Sequence, residues 1–383
     1  MTSRVDTIYT EKERNLTIDY LQAILILMVI DDHVGSRMGF LSSLFPYDSF
    51  FMPAFVMISG YFYKKVTIKE TISKKLYRLF IPYTIWSIIG NMVSFVLYRL
   101  NVVDWYRIPS GKNILLQCFY EPLSEITGPG WFAIMLFSVV IVYSAIENGT
   151  RLFTRLFIGG GRNEILSDYV DLAILVSIGL AVTWVCAHHL NEGRVAATIL
   201  RTGFYLQFYH IGFMFNHYWE SRLKKIHPFI VCGICVFTNV VLICLYGNNI
   251  RFIGTVAMES FQTWHLPILT SLTGILFWYE FAGMLSIYVG KRREISFLAR
   301  NTFTIMMVHL AFTKIPQFVA YYIQQHGNSR FSDFNLEAFR TTPFYSSGQG
   351  LQLVGFFCGV VGSVCIVYLL EKFHDISKQI TKR

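Results

Sequence analysis

Charge is scarce in this sequence of 383 residues: only 15% are Asp, Glu, Lys or Arg, where an average soluble domain has about a quarter. A chain so poor in charge cannot cover a water-facing surface. The 54% of residues that are apolar, with 34 Phe and 22 Tyr in the chain, call for an apolar solvent. Cysteines suited to cross-linking are also lacking. Of seven, Cys186, Cys232, Cys235, Cys244, Cys358 and Cys365 lie inside apolar runs, which argues against a disulfide framework. Cys232 and Cys235 have no second ligand pair, and no His-Glu-x-x-His motif appears, so no metal is expected. No small-residue cleavage site follows the first apolar run. It ends instead in Asp31, Asp32 and His33, and is expected to stay in the protein as a helix.

What the sequence has is hydrophobic runs of about 17–25 residues, the length that crosses a bilayer as helix, not the alternating ten-residue segments of a barrel. Helices are expected at 16–34, 49–63, 79–99, 130–147, 170–188, 203–219, 228–246, 264–287, 301–323 and 350–370. The expected fold class is all-α: a polytopic transmembrane bundle of about ten helices in a single membrane domain over 1–383, without an appended soluble domain. Lys and Arg accumulate in cytoplasmic loops. On this helix count 23 of the 33 fall in one set of alternate segments, which include Lys64 to Arg78 and Lys291 to Arg300, and nine in the other. Both termini are therefore expected in the cytoplasm. The net charge of +9 is then spread over short loops facing anionic lipid, and no nucleic-acid partner is expected. The two longest loops, 100–129 and 324–349, fall outside and suit ligand binding.

The first helix carries a polar stripe. At about 100° per residue, the step from Gln22 to His33 returns to within about 20° of the same face, and Asp19 lies within about 40° of it. Gln22 and His33 are about 16 Å apart along the axis, near enough to contact two parts of one long ligand. Ionisable groups at this depth are costly and usually face a cavity or a partner.

With these residues the sequence resembles the acyltransferase 3 family of membrane O-acyltransferases, particularly its sugar O-acetylase branch. That family has Asp-x-x-(Arg or Lys) and, eleven residues after the basic position, a histidine; here the positions are Asp19, Gln22 and His33. Further phrases follow in the family's order: Phe51-Met52-Pro53 running to Ser59-Gly60-Tyr61; Lys74-Lys75 and Arg78 leading into Ile81-Pro82-Tyr83; Gly130-Trp131-Phe132; Phe208 with Gly212; and Thr304 to His309. Gln22 departs from the pattern, for a neutral amide donates hydrogen bonds but supplies no charge.

The resemblance implies acyl transfer from a thioester to a sugar hydroxyl. His33 is expected to take the hydroxyl proton as general base, since imidazole titrates near neutral pH. Asp32 or Asp31 is expected to orient the ring if the helix breaks there, because adjacent residues on a continuous helix do not face each other; a carboxylate from another helix or loop is the alternative. Arg78, with Lys74 and Lys75, lies on the side where acyl-CoA is found and suits its phosphates. Asp19, Gln22, Ser59, Arg78, Trp131 and His309 form the expected donor- or substrate-binding set. Lys314 is expected to snorkel or to pair with Glu280; it stands about 140° round the helix from His309, so the two are not expected to share one site. His210, His217 and His265 read as packing or interfacial residues.

No bound cofactor is expected; acetyl-CoA, or another acyl-CoA, is the donor substrate, and a carbohydrate, free or lipid-linked, is the acceptor. The expected location is a bacterial cytoplasmic membrane, with membrane lipid as the surrounding partner. Three other readings compete. A transporter or flippase would line a path with the polar stripe, a polysaccharide polymerase or glycosyltransferase would use Glu121 and Glu125, and a non-catalytic relative would explain Gln22.

Overall fold

The computed structural model describes residues 14–35, 40–106, 122–157, 164–188, 193–254, 258–327, 334–342 and 345–381. The expected Glu121 and Cys118 lie outside them. Among the described residues the structure is helical, and the only strand-like pairing is a single bridge between Ile253 and Glu259.

The principal helices are α1 (Leu16–Val34), α2 (Tyr47–Tyr61), α3 (Ile68–Arg99), α4 (Trp131–Phe157), α5 (Glu164–Ala187) and α6 (Arg194–Met214). They continue with α7 (Pro228–Tyr246), α8 (Leu266–Val289), α9 (Arg293–Arg300), α10 (Thr302–Thr313), α11 (Ile315–Gln325) and α12 (Gln349–Thr381). Each of the ten expected segments is helical, with two differences. The segment expected at 301–323 is interrupted at Lys314, and α3 starts at Ile68, eleven residues before the expected start at 79.

Among the described residues seven helices are long and apolar enough to cross a membrane: those within Ile68–Arg99, Glu125–Leu152, Ile165–Ala187, Pro228–Ile250, Leu266–Val289, Thr302–Gln325 and Gln349–Gln379. The remaining expected crossings, α1, α2 and α6, fall short for physical reasons. α1 carries Asp19, Asp31 and Asp32, α2 has only 15 residues, and α6 holds Arg201, Gln207 and His210. All three helices are largely buried. Helices screened from lipid by their neighbours tolerate polar side chains that a lipid-facing helix cannot. α12, in contrast, exposes Phe357, Val361, Tyr368 and Leu369, a surface suited to acyl chains.

α1 is the central element, packed against α2, α8, α9, α10 and α12. Asn15 caps its start by accepting from the Ile18 N–H. Gly35 ends it in the left-handed region at φ 79°, with its N–H turned back to the Asp31 and Asp32 carbonyls. A Cβ there would also lie 2.5 Å from Ser346 Oγ. His33 is therefore held in the last turn of a capped, buried helix.

α2 and α6 cross in near backbone contact. A Cβ on Gly60 would fall 1.8 Å from the Tyr209 carbonyl oxygen, and one on Gly212 would fall 1.9 Å from that of Met57. Small residues permit such approaches between membrane helices. Gly60→Ala is expected to cost about 1–3 kcal/mol by forcing the helices apart, read as a lower melting temperature in detergent. Gly149→Ala, with nothing within 4 Å of its Cβ, is expected to leave that temperature unchanged or raise it.

Candidate active site

α1 and α10 bring two histidines together. The ring centroids of His33 and His309 are 5.0 Å apart, with the planes at 69°. His33 Nδ1 lies 2.6 Å from the Val29 carbonyl oxygen, and His309 Nδ1 lies 3.1 Å from that of Ile305. A carbonyl oxygen only accepts, so both Nδ1 atoms carry a proton, and each ring in its neutral form presents an Nε2 lone pair. His309 is wholly buried, and its Nε2 has no hydrogen-bond partner among the described residues. His33 is half-buried and lines a pocket.

The helix break required for Asp31 or Asp32 to orient His33 is absent, because α1 runs unbroken through Val34. Asp32 stands about 100° round the helix from His33, and Asp31 about 200°. Asp31 instead accepts from the Tyr47 hydroxyl. The carboxylate whose charge acts on the His33 ring belongs to Asp48, in the first turn of α2.

On one side of the pair is a polar pocket of about 10 Å³, lined by His33, Val34, Leu310, Thr313, Lys314, Gln317 and Tyr345. Lys314 corrects the expectation of a continuous helix. Pro316 has no N–H to continue the α10 ladder, so the helix ends at Thr313 and restarts at Ile315. Lys314 keeps helical φ and ψ and lines the pocket of His33 with Leu310, Thr313 and Gln317, at steps of three and four residues, with Nζ 5.6 Å from the Trp105 ring centroid and the charge of Glu125 acting on it, not that of Glu280.

On the other side two larger cavities meet. The first, about 170 Å³, is mostly apolar, with Ile26, Phe55, Phe132, Phe303 and Met306 in its wall. The second, about 470 Å³, is basic, with Lys64, Lys74, Lys75 and Arg78 in its wall. Gln22, Ile58 and Ser59 line both, so the two share a throat. Thr71, Lys74, Lys75 and Arg78 recur at three- and four-residue steps and so share a face of α3, through the π-turn Leu76–Phe80. Met306 precedes His309 by about one turn, and Ile26 precedes His33 by about two. The apolar cavity thus leads from the basic mouth toward the histidine pair. A further cavity, of about 1120 Å³, lies between α9 and α12; Arg14, Lys291, Arg293 and Arg300 line it and neither histidine does.

The expected binding set is therefore divided. Gln22, Ser59 and Arg78 share one cavity, and His309 joins His33. Asp19 lies apart: Arg14 pairs with it at 2.6 Å and Ser296 Oγ donates to it at 3.0 Å, fastening α9 to α1. Trp131 also lies apart, beneath the buried Arg201 guanidinium at 5.3 Å from its ring. His210 is a packing residue, held by the Tyr143 hydroxyl and the Asp168 carbonyl. The sequence reading missed Asp48, Arg201 and Gln317. Arg201 carried the clearest signal, an arginine in an otherwise apolar helix.

A family model described as an acyltransferase domain matches residues 15–372. No curated protein and no solved structure matches the chain.

Proposed function

The chain belongs to the acyltransferase 3 family, and we propose that this multi-pass membrane acyltransferase carries an acetyl group from cytoplasmic acetyl-CoA to a hydroxyl of a cell-envelope or exported carbohydrate. The observation that carries this reading is the pair of cavities sharing Gln22, Ile58 and Ser59, which lead from a basic mouth toward His33 and His309. A thioester on a long, mostly apolar arm with a polyphosphate at its far end matches that shape and charge.

In this reading ten helices cross a bacterial cytoplasmic membrane and the Lys64 to Arg78 end faces the cytoplasm, as the alternation of Lys and Arg favours. Lys74, Lys75 and Arg78 hold the donor phosphates. Gln22, at the throat, meets the amide-bearing arm and not the phosphates. There an amide that both donates and accepts suits the ligand, and a charge is not required.

The acceptor hydroxyl gives its proton to His33 Nε2 as its oxygen attacks the thioester carbonyl. Collapse of the tetrahedral adduct breaks the carbon–sulfur bond, and the imidazolium returns the proton to the departing thiolate. Asp48 supplies the negative charge that favours the imidazolium.

The test is to incubate purified protein with labelled acetyl-CoA and a glycan extract. Label on carbohydrate supports the proposal. Unmodified sugar crossing a vesicle membrane with no acylated product supports transport instead. Arg78→Ala is expected to raise the KM for acetyl-CoA about tenfold or more, since a charge-assisted contact is worth about 1.5–3 kcal/mol, and to leave the acceptor KM unchanged.

A further inference from the structure

We infer that the small pocket beyond His33 is the subsite of the acceptor alcohol, in which Lys314 and Gln317 recognise a neutral polyol by a hydroxyl next to the one that reacts. This inference deepens the acyl-transfer reading and rests on it for the identity of the reaction.

The pocket is polar at a depth where polar groups are expensive. Lys314 is 5% exposed and Gln317 8%, and both line it together with His33. Gln317 Nε2 is committed, donating to the Tyr345 carbonyl at 3.0 Å. Its Oε1 is buried and has no partner among the described residues. A buried acceptor left unsatisfied costs about 1–3 kcal/mol, which is recovered when a ligand brings a donor. Trp105 Nε1, beneath Lys314, is a second buried polar atom without a partner among the described residues, and it is a donor.

The required ligand must therefore donate to Gln317 and accept from Lys314, the donor in the pocket wall. A hydroxyl does both, whereas a carboxylate or phosphate only accepts. The charge of Glu125 acting on Lys314 also disfavours an anionic acceptor. The reacting hydroxyl spends its one proton on His33, so Gln317 must take its proton from a neighbouring hydroxyl. The free volume of about 10 Å³ takes one oxygen-sized group, the neighbouring hydroxyl, so the reacting hydroxyl meets His33 at the rim of the pocket. The acceptor thus enters hydroxyl first, and the rest of the sugar stays at the mouth.

The experiment uses the full-length protein in detergent or nanodiscs, with a panel of methyl glycosides as probes and two readouts. The first is protection against thermal unfolding. A glycoside that raises the melting temperature of the wild type is expected to lose that effect in Gln317→Leu and to keep it in Gln317→Glu, which retains an acceptor oxygen. The second is steady-state acetyl transfer. Gln317→Leu is expected to raise the acceptor KM about tenfold with the acetyl-CoA KM unchanged, and Lys314→Met to do the same. An unchanged acetyl-CoA KM also reports that each variant is folded. Protection equal in wild type and Gln317→Leu, or absent from both, overturns the subsite, as does an acceptor KM unmoved in Gln317→Leu. Protection lost in Gln317→Leu by a wild type that transfers no acetyl group sinks the acyl-transfer reading alone.

Discussion

His33→Ala is expected to lower kcat for acyl transfer about 10²–10⁴-fold, the range general-base catalysis contributes, while the protein remains folded in membranes. The prediction follows from the fixed tautomer. With Nδ1–H tied to the Val29 carbonyl, Nε2 is the ring's lone pair, and His33 is the histidine that lines the polar pocket. His309 cannot replace it, being wholly buried and lining neither that pocket nor the cavities of the throat. His33→Gln is expected to be as inactive, because an amide donates and accepts hydrogen bonds but has no basic lone pair near neutral pH. Single-turnover kinetics with labelled acetyl-CoA checks this. Full activity in either variant would remove His33 from the chemistry.

Ser59→Trp is expected to abolish transfer with both histidines intact. Ser59 sits in a largely buried stretch of α2, yet it remains partly accessible and lines both cavities. A tryptophan there has room to turn into the throat, and doing so parts the apolar space of about 170 Å³ from the basic mouth of about 470 Å³. The thioester would then be held away from His33. A displacement of about 1 Å already costs about 10²-fold in well-oriented reactions, so a closed throat is expected to cost at least that. Coenzyme A lacking the acyl group should still bind at the mouth, and equilibrium binding beside turnover separates a blocked path from a collapsed fold. Undiminished turnover would instead move the donor to the cavity of about 1120 Å³ between α9 and α12.

The helical segments were legible because lipid leaves the backbone few choices: every N–H and C=O must be satisfied within the segment, so a run of about twenty apolar residues becomes a helix. The three helices α1, α2 and α6 do not qualify as crossings on their own, α2 for its length and α1 and α6 for their polar residues. α1 and α2 were legible from motifs, Asp19 to His33 and Met52-Pro53 to Ser59-Gly60-Tyr61. The gap between the number of helices and the number apolar enough to cross alone is itself physical, since residues that line a site cannot also be lipid-like.

The site was legible in part. The stripe of Gln22 and His33 belongs to one helix, where about 100° per residue sets both positions. The same rule set Lys314 apart from His309, and Lys314 lines a pocket that His309 does not; periodicity within one helix cannot show that this pocket belongs to His33, on another helix. Asp48 gave no signal: one carboxylate at a helix start resembles an ordinary cap or dipole partner. Asp19 and Trp131 matched the family phrase by phrase, yet one fastens α9 to α1 and the other supports Arg201.

By itself the sequence determined an all-helical membrane chain with a histidine near the end of its first helix. Local spacing and the demands of an apolar solvent suffice for that. Only the tertiary structure decided that His309 meets His33, that Lys314 and Gln317 close the pocket beside them, and that Ser59 stands at a throat. These pairings join segments far apart in the chain, and helix packing, as at Gly60 and Gly212, sets which faces converge, while periodicity fixes only the positions within each helix.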